Sequence, residues 1–171
     1  AVYVQELNGL KTQVIDTRKT TPGMRVLDKM AVRIGGGGNH RIGLFDMVIL
    51  KDNHIDAAGS MTKAVELLRG RYNPCPPIEV ECRNLDEISE AVACRVDRIM
   101  LDNMTPDMLP EALEMIPSFI ETEISGGVSL DTIRAYATVS TVRKPDFISV
   151  GRITHSAVTA DLSMRIAKES L

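Results

Sequence analysis

Apolar and polar residues follow two periods along this chain. Short runs dominated by apolar residues, from Gln13 to Asp16, Met47 to Leu50, Ile78 to Glu81, Arg98 to Leu101, Phe119 to Glu123 and Phe147 to Val150, have the length and composition of strands. Between them apolar positions recur at helical spacing. Met61, Ala64, Val65 and Leu68 stand at i, i+3, i+4 and i+7; Leu85, Ile88 and Val92 form a similar stripe, as do Leu109, Ala112, Leu113 and Ile116. Asn84 three residues before Glu87, Thr105 before Pro106, and Ser129 before a helical run are start signals, because a side-chain oxygen there accepts a free amide of the first turn. Ala1 to Lys11, with Val4, Leu7 and Leu10 along one face, reads as the tail of another helix.

Six strands alternating with helices predict parallel pairing, and strands this apolar predict burial on both faces. An α/β barrel and a doubly wound sheet both satisfy that pattern. The polar residues separate them. Thr17, Lys51, Glu81, Asp102, Ser125 and Gly151 each stand at the carboxyl end of a different predicted strand, and in a parallel barrel those ends converge on one mouth.

The chain has 171 residues, the size of one domain, and its ordinary apolar content is enough for a core. A net charge of -3 argues against a general nucleic-acid binder, whose footprint is basic, so the clusters of Arg and Lys are directed at a ligand. No apolar run approaches the ~20 residues of a membrane-spanning helix. The start shows no signal-peptide pattern, and there is no internal repeat or low-complexity linker. Cys75, Cys82 and Cys94 are too irregularly spaced for a disulfide framework or a zinc site, which makes a reducing cytoplasm the expectation.

The candidate chemistry concentrates in Thr17-Arg18-Lys19, Asn39-His40-Arg41 and Lys51-Asp52-Asn53-His54. Arg18, Lys19, Arg41 and Lys51 supply cations, and the run Gly35 to Gly38 is expected to let backbone approach a ligand. A small, multiply negative substrate fits. Glu81 and Asp102, at the ends of adjacent strands, are hard oxygen donors suited to Mg²⁺ held together with substrate phosphates, or to facing positive charge as it develops. Glu79 shares a face with Glu81 but lies below the mouth. Asn103 or Thr105 is expected to cap the helix before Pro106, leaving Asp102 for the ligand. Ser125-Gly126-Gly127 and Val150-Gly151-Arg152 follow the last two strands, where barrels of this kind bind phosphate, with His155 and Ser156 extending the grip.

The order of Asp16-Thr17-Arg18-Lys19-Thr20-Thr21-Pro22-Gly23, Asn39-His40-Arg41, Leu50-Lys51-Asp52-Asn53-His54, Ile78-Glu79-Val80-Glu81, Met100-Leu101-Asp102-Asn103-Met104, Ser125-Gly126-Gly127 and Ser149-Val150-Gly151 resembles the quinolinate phosphoribosyltransferase family across essentially the whole chain. The resemblance implies an open or incomplete α/β barrel of about six parallel strands with outer helices. It implies a Mg²⁺-dependent enzyme of NAD biosynthesis that makes nicotinate mononucleotide, CO₂ and pyrophosphate from quinolinate and phosphoribosyl pyrophosphate. Thr17, Arg18, Lys19, Arg41 and Lys51 are then expected to hold the two carboxylates, with His40 lining the pocket. Ser125, Gly126, Gly127, Val150, Gly151, Arg152 and His155 are expected to hold the 5-phosphate, and Glu81, Asp102 and Lys51 to be catalytic, the two carboxylates also serving Mg²⁺. Residues 1–171 are expected to form the catalytic barrel without the family's N-terminal α/β sandwich domain, which in a homodimer lends an arginine to the neighbouring subunit's site. No membrane or nucleic-acid partner is expected.

Three positions depart from the family pattern: Glu123-Ile124 before Ser125, the longer approach from Thr138 to Pro145, and Arg152 where alanine is usual. A nicotinate phosphoribosyltransferase of the same fold is the nearest alternative, since the barrel alone does not fix the substrate. A non-catalytic phosphate-binding barrel, needing neither Glu81 nor Asp102, and a Schiff-base lyase using Lys51 are the alternatives from other classes.

Overall fold

The structure, a computed structural model, describes residues 1–167. In chain order it runs through α1 (Val2–Glu6), β1 (Gln13–Ile15), α2 (Arg25–Ile34), β2 (Val48–Leu50), α3 (Asp52–Ala58), α4 (Met61–Arg71), β3 (Ile78–Cys82), α5 (Leu85–Ala93), β4 (Arg98–Asp102), α6 (Leu109–Met115), β5 (Glu121–Ser125), α7 (Ile133–Ala137), β6 (Phe147–Ser149) and α8 (Arg152–His155). All six expected strands are present. The stripes on α4, α5 and α6 face inward, and the Asn84 side chain caps α5 by accepting the Glu87 amide at 2.9 Å.

Two start signals mark turns instead of helix starts. Thr105-Pro106 lies in a turn and α6 begins at Leu109, with Pro110 in its first turn. Ser129 lies ahead of α7, its carbonyl accepting the Ile133 amide at 3.0 Å. The first helix also ends early, at Glu6, where Leu7 turns into the core. The pattern gave no notice of α2, which buries only Lys29 and Val32 and so carries no core stripe.

The strands pair in parallel in the order β1-β6-β5-β4-β3-β2. From β2 to β6 each strand adds beside its predecessor, with no reversal of winding. That is the topology of a barrel and not of a doubly wound sheet. No pairing joins β1 to β2 among the described residues, so the barrel is open there. The glycine run passes along this open side. Gly38 bridges Ile15, its amide donating to the Val14 carbonyl at 2.8 Å and its carbonyl accepting the Asp16 amide. A Cβ on Gly38 would lie 2.9 Å from the Gln13 side chain and 3.0 Å from Ile15 Cγ2. The run therefore serves close packing on β1, and the expectation that it approaches a ligand is corrected: none of its glycines lines the pocket described below.

Strand alternation divides the sheet into two different faces. Val14, Leu50, Val80, Cys82, Ile99, Leu101, Ile124, Ile148 and Val150 point outward into one core with the helices. Burying each aliphatic side chain contributes about 1.5–3 kcal/mol, enough for this face to hold the barrel together. The inner face is buried but polar, with Glu79 and Glu123 fully buried and Arg98 and Ser149 nearly so. Both faces are buried, as expected, but the inner one is lined by polar and charged side chains and not by apolar ones. Helices cover one side of the sheet, and the other encloses charge.

Cys75, Cys82 and Cys94 are free thiols, and burial pushes the Cys82 thiol well above its ordinary range. No helix among the described residues is long and apolar enough to cross a membrane.

Candidate active site

At the carboxyl ends of the strands the inner face opens into a pocket of about 750 Å³, a volume suited to a small polar ligand. Thr17, Arg18 and Lys19 enter it after β1, His40 and Arg41 from the segment before β2, and Lys51 after β2. Glu81 and Asp102 come from β3 and β4; Ser125, Gly126 and Gly127 from the end of β5; Gly151, Arg152 and His155 from beyond β6. Val150 is the exception. It shares outward phase with Ile148, is packed in the core, and donates its amide to the Ile15 carbonyl at 2.9 Å, so the phosphate role expected for it is corrected.

The wall from Thr17 to Lys19 is fixed from two sides. Thr154 Oγ1 donates to the Lys19 carbonyl at 2.7 Å, and Arg25 donates to Thr20 Oγ1 and to the Arg18 carbonyl, both at 3.2 Å. Arg41 uses Nη1 on the Met47 carbonyl at 2.7 Å. Its Nε, like that of Arg18, is buried and has no hydrogen-bond partner among the described residues. Burial, and then the neighbouring Arg18 charge, hold the Arg41 pKa below its ordinary value. Two guanidinium groups thus repel across a pocket with donor atoms uncommitted. Lys51 Nζ pairs with Glu81, whereas Arg152 is exposed and has no carboxylate partner among the described residues.

Asp102 accepts the Asn103 side-chain amide at 2.6 Å. Asn103 has φ 52° and gives its backbone amide to the Ser125 carbonyl at 3.0 Å, so it links the ends of β4 and β5 instead of capping a helix. Gly126, at φ 103°, accommodates it, since a Cβ would come within 2.2 Å of Asn103 Oδ1. The amides of Gly126, Gly127 and Val128 donate to no acceptor among the described residues. Gly151 makes room for the His155 ring, whose Nε2 lies 3.0 Å from where a Cβ would stand. His54 plays no part in this wall; its Nδ1 accepts the Lys51 amide at 3.0 Å and closes the first turn of α3.

Below the mouth lies a cluster that sequence reasoning missed. His40 Nε2 is 2.9 Å from Glu79 and 3.2 Å from Glu123, and Arg98 Nη1 is 3.4 Å from Glu123. The Arg41 amide donates to His40 Nδ1 at 2.7 Å, which places the ring proton on Nε2, facing the carboxylates. Burial opposes charge on the ring, yet the two glutamates push its pKa up to about 9. Burial and the Glu123 charge push Glu79 up to about 7. Burial also raises Glu123, but the His40 and Arg98 contacts outweigh it and hold it below the usual range. These three side chains hold ligand atoms within 4.8 Å of one another, with the Arg98 guanidinium 3.4 Å from Glu123 as the nearest fixed cation. A signal was available: Glu79, Glu123 and Ser149 stand two residues before Glu81, Ser125 and Gly151, in the same inward phase.

This cluster ties stability to pH. His40 rises from 6.5 and Glu79 from 4.5, so whichever holds the proton, the folded chain keeps it to higher pH than the unfolded chain. The resulting stability is present in acid and is lost as pH rises through about 7 to 9, on the order of 1–3 kcal/mol. Urea midpoints are therefore expected to fall between pH 6 and pH 9, and His40→Gln to flatten that slope. An unchanged slope in the variant would exclude the cluster as its source.

A family model described as quinolinate phosphoribosyl transferase, C-terminal domain, matches residues 1–165. The probable nicotinate-nucleotide pyrophosphorylase (carboxylating) of Synechocystis sp. is 47% identical over 169 residues, covering 97% of this chain and 56% of that protein. Its counterpart of the same name from Bacillus subtilis is 41% identical over 163 residues, covering 95% and 55%. The crystal structure of NadC from Streptococcus pyogenes superposes with a TM-score of 0.88 at 41% identity, covering 96% of this chain and 56% of that one. The chain spans about half the length of the relatives it matches.

Proposed function

The chain belongs to the quinolinate phosphoribosyltransferase family, in its C-terminal domain, and from that premise we propose that the whole protein converts quinolinate and phosphoribosyl pyrophosphate to nicotinate mononucleotide, CO₂ and pyrophosphate. The observation that carries this reading is the pair Arg18 and Arg41, two like charges facing one pocket, each with a buried Nε donor that has no partner among the described residues. A rigid dianion with adjacent carboxylates relieves their repulsion and supplies the missing acceptors. Lys19, Lys51 and Thr17 complete that grip, and His40 forms the floor beneath it.

Held at both carboxylates, the pyridine ring can present its nitrogen lone pair in line to C1 of the ribosyl group as pyrophosphate departs. The positive charge on the resulting pyridinium nitrogen then stabilises the electron pair left on C2 when the C2 carboxylate leaves as CO₂, and that pair takes up a proton. Glu81 and Asp102 face the ribose side, where carboxylates stabilise positive charge developing at C1. The same two fit Mg²⁺, since each retains an oxygen with no hydrogen bond among the described residues. When bound, that ion neutralises the pyrophosphate leaving group. The free amides of Gly126 and Gly127, with Gly151, Arg152 and His155, are assigned the 5-phosphate. Lys51, paired with Glu81, joins the carboxylate end of the pocket to the ribose end.

The proposal extends to a homodimer in which a neighbouring subunit's N-terminal domain completes the site with an arginine, and to the cytoplasm, in keeping with three free thiols. The test is CO₂ release from quinolinate by the full-length protein with phosphoribosyl pyrophosphate and Mg²⁺, with nicotinate run in parallel. CO₂ stoichiometric with pyrophosphate is the expected result. Pyrophosphate released with nicotinate alone would replace the substrate, and binding of phosphate without turnover would reduce the protein to an anion-binding barrel.

A further inference from the structure

Behind the pocket wall, outside the sheet, Asp16 is fully buried against α2 and its carboxylate is crowded with donors. Lys29 Nζ reaches Oδ1 at 2.6 Å and the His40 carbonyl at 2.9 Å. The His40 amide donates to the same Oδ1 at 2.8 Å, while Asn39 Nδ2 donates to Oδ2 at 2.7 Å and to the Lys29 carbonyl at 3.0 Å. Lys29 is itself only 4% exposed. Neither Asp16 nor Lys29 lines the pocket.

A buried ion pair is a poor way to gain stability, because apolar residues of the same size commonly serve as well. A fully satisfied polar network does something apolar packing does not: it specifies one arrangement of the segments it joins. Here the joined segments carry the substrate grip. Asp16 immediately precedes Thr17-Arg18-Lys19, and Asn39-His40 immediately precede Arg41. Among the described residues the backbone of the two segments is joined only by the Gly38 bridge to β1, and the Arg18 and Arg41 charges push the two segments apart.

We propose that Asp16 and Lys29 are positioning residues, a buried clamp that holds Arg18 and Arg41 at the separation the two substrate carboxylates require. The proposal rests on the functional reading above. The clamp acts before substrate arrives, so the grip is preorganised against its own repulsion and little of the binding free energy is spent in assembling it.

Removing Lys29 alone strands a buried carboxylate and invites unfolding, so the decisive variant in the full-length protein is Asp16→Asn combined with Lys29→Gln, which keeps uncharged hydrogen bonds. The measurements are the KM for quinolinate, the KM for phosphoribosyl pyrophosphate, and hydrogen exchange at the His40 and Arg41 amides. The expected result is a quinolinate KM raised about tenfold or more, since small misplacements of binding groups carry effects of that size. The phosphoribosyl pyrophosphate KM stays within about twofold, and exchange accelerates at residues 39–41 but not in β3 to β5. Lys29→Arg, which retains charge and donors, recovers part of the quinolinate KM. A folded double variant with unchanged quinolinate KM, or one that weakens both substrates equally with general loss of protection, overturns the clamp. If the parent protein does not use quinolinate at all, the functional reading falls, and exchange at residues 39–41 decides the clamp by itself: unaltered exchange in the double variant overturns it.

Discussion

Asp102→Ala in the full-length protein is expected to lower turnover by about two to three orders of magnitude, the scale on which one well-placed electrostatic group acts, while quinolinate affinity stays within about threefold. Asp102 lies at the end of β4, beside Ser125 in register, on the side of the pocket proposed for the ribose and the leaving group. Among the described residues it forms no ion pair with Arg18, Lys19, Arg41 or Lys51, and its hydrogen-bond partner is Asn103. On the proposed division of the pocket the charge is therefore expected to act on the transition state and on Mg²⁺ more than on the bound pyridine. Asp102→Asn separates charge from local geometry, because it keeps an acceptor for Asn103. Turnover lost to a similar extent in both variants, with quinolinate affinity held, identifies charge as the cause. Single-turnover rates together with calorimetric titration of quinolinate make the comparison, and full turnover in Asp102→Asn would refute an electrostatic role.

Arg41→Ala is expected to do the opposite, weakening quinolinate binding about a hundredfold, or about 2–3 kcal/mol, the range for losing a charge-assisted bond in a partly buried site. Affinity for phosphoribosyl pyrophosphate should change little. The variant also releases the Met47 carbonyl that Nη1 now satisfies, so the loop ahead of β2 could loosen for reasons unrelated to substrate. Arg41→Gln controls for this by retaining a donor for Met47. Arg41→Lys keeps the charge but loses the planar fork, and should recover only part of the affinity. If Arg41→Gln binds quinolinate as the parent does, the loop and not the charge governs binding. Equal losses of turnover and affinity in both the Asp102 and the Arg41 alanine variants would end the division of the pocket into a carboxylate side and a ribose side.

Much of this was legible from local pattern. The six strands and the stripes on α4, α5 and α6 repeat with the periods of their backbones, so the sequence records them directly. Thr17, Lys51, Glu81, Asp102, Ser125 and Gly151 were legible as one mouth because each terminates a strand, and parallel strands bring those ends together. The failures have equally local causes. The glycine motif beside it suggests a ligand role for Val150, but strand alternation turns it outward beside Ile148. The four glycines suggested a ligand cradle, but backbone that passes close against a strand needs the same absence of Cβ.

By itself, then, the sequence determined the alternation of strands and helices, the family, and the residues standing at the mouth, since all of these follow from periodicity and short motifs. Only the tertiary structure decided where the remaining charges act. Glu79, Arg98 and Glu123 meet His40 inside the barrel, and Asp16 meets Lys29 outside it, across separations in the chain that no local pattern encodes. Whether a charged side chain is solvated or buried against a partner depends on which distant strand or helix packs beside it. That is settled by closing the sheet, not by the order of residues along one segment.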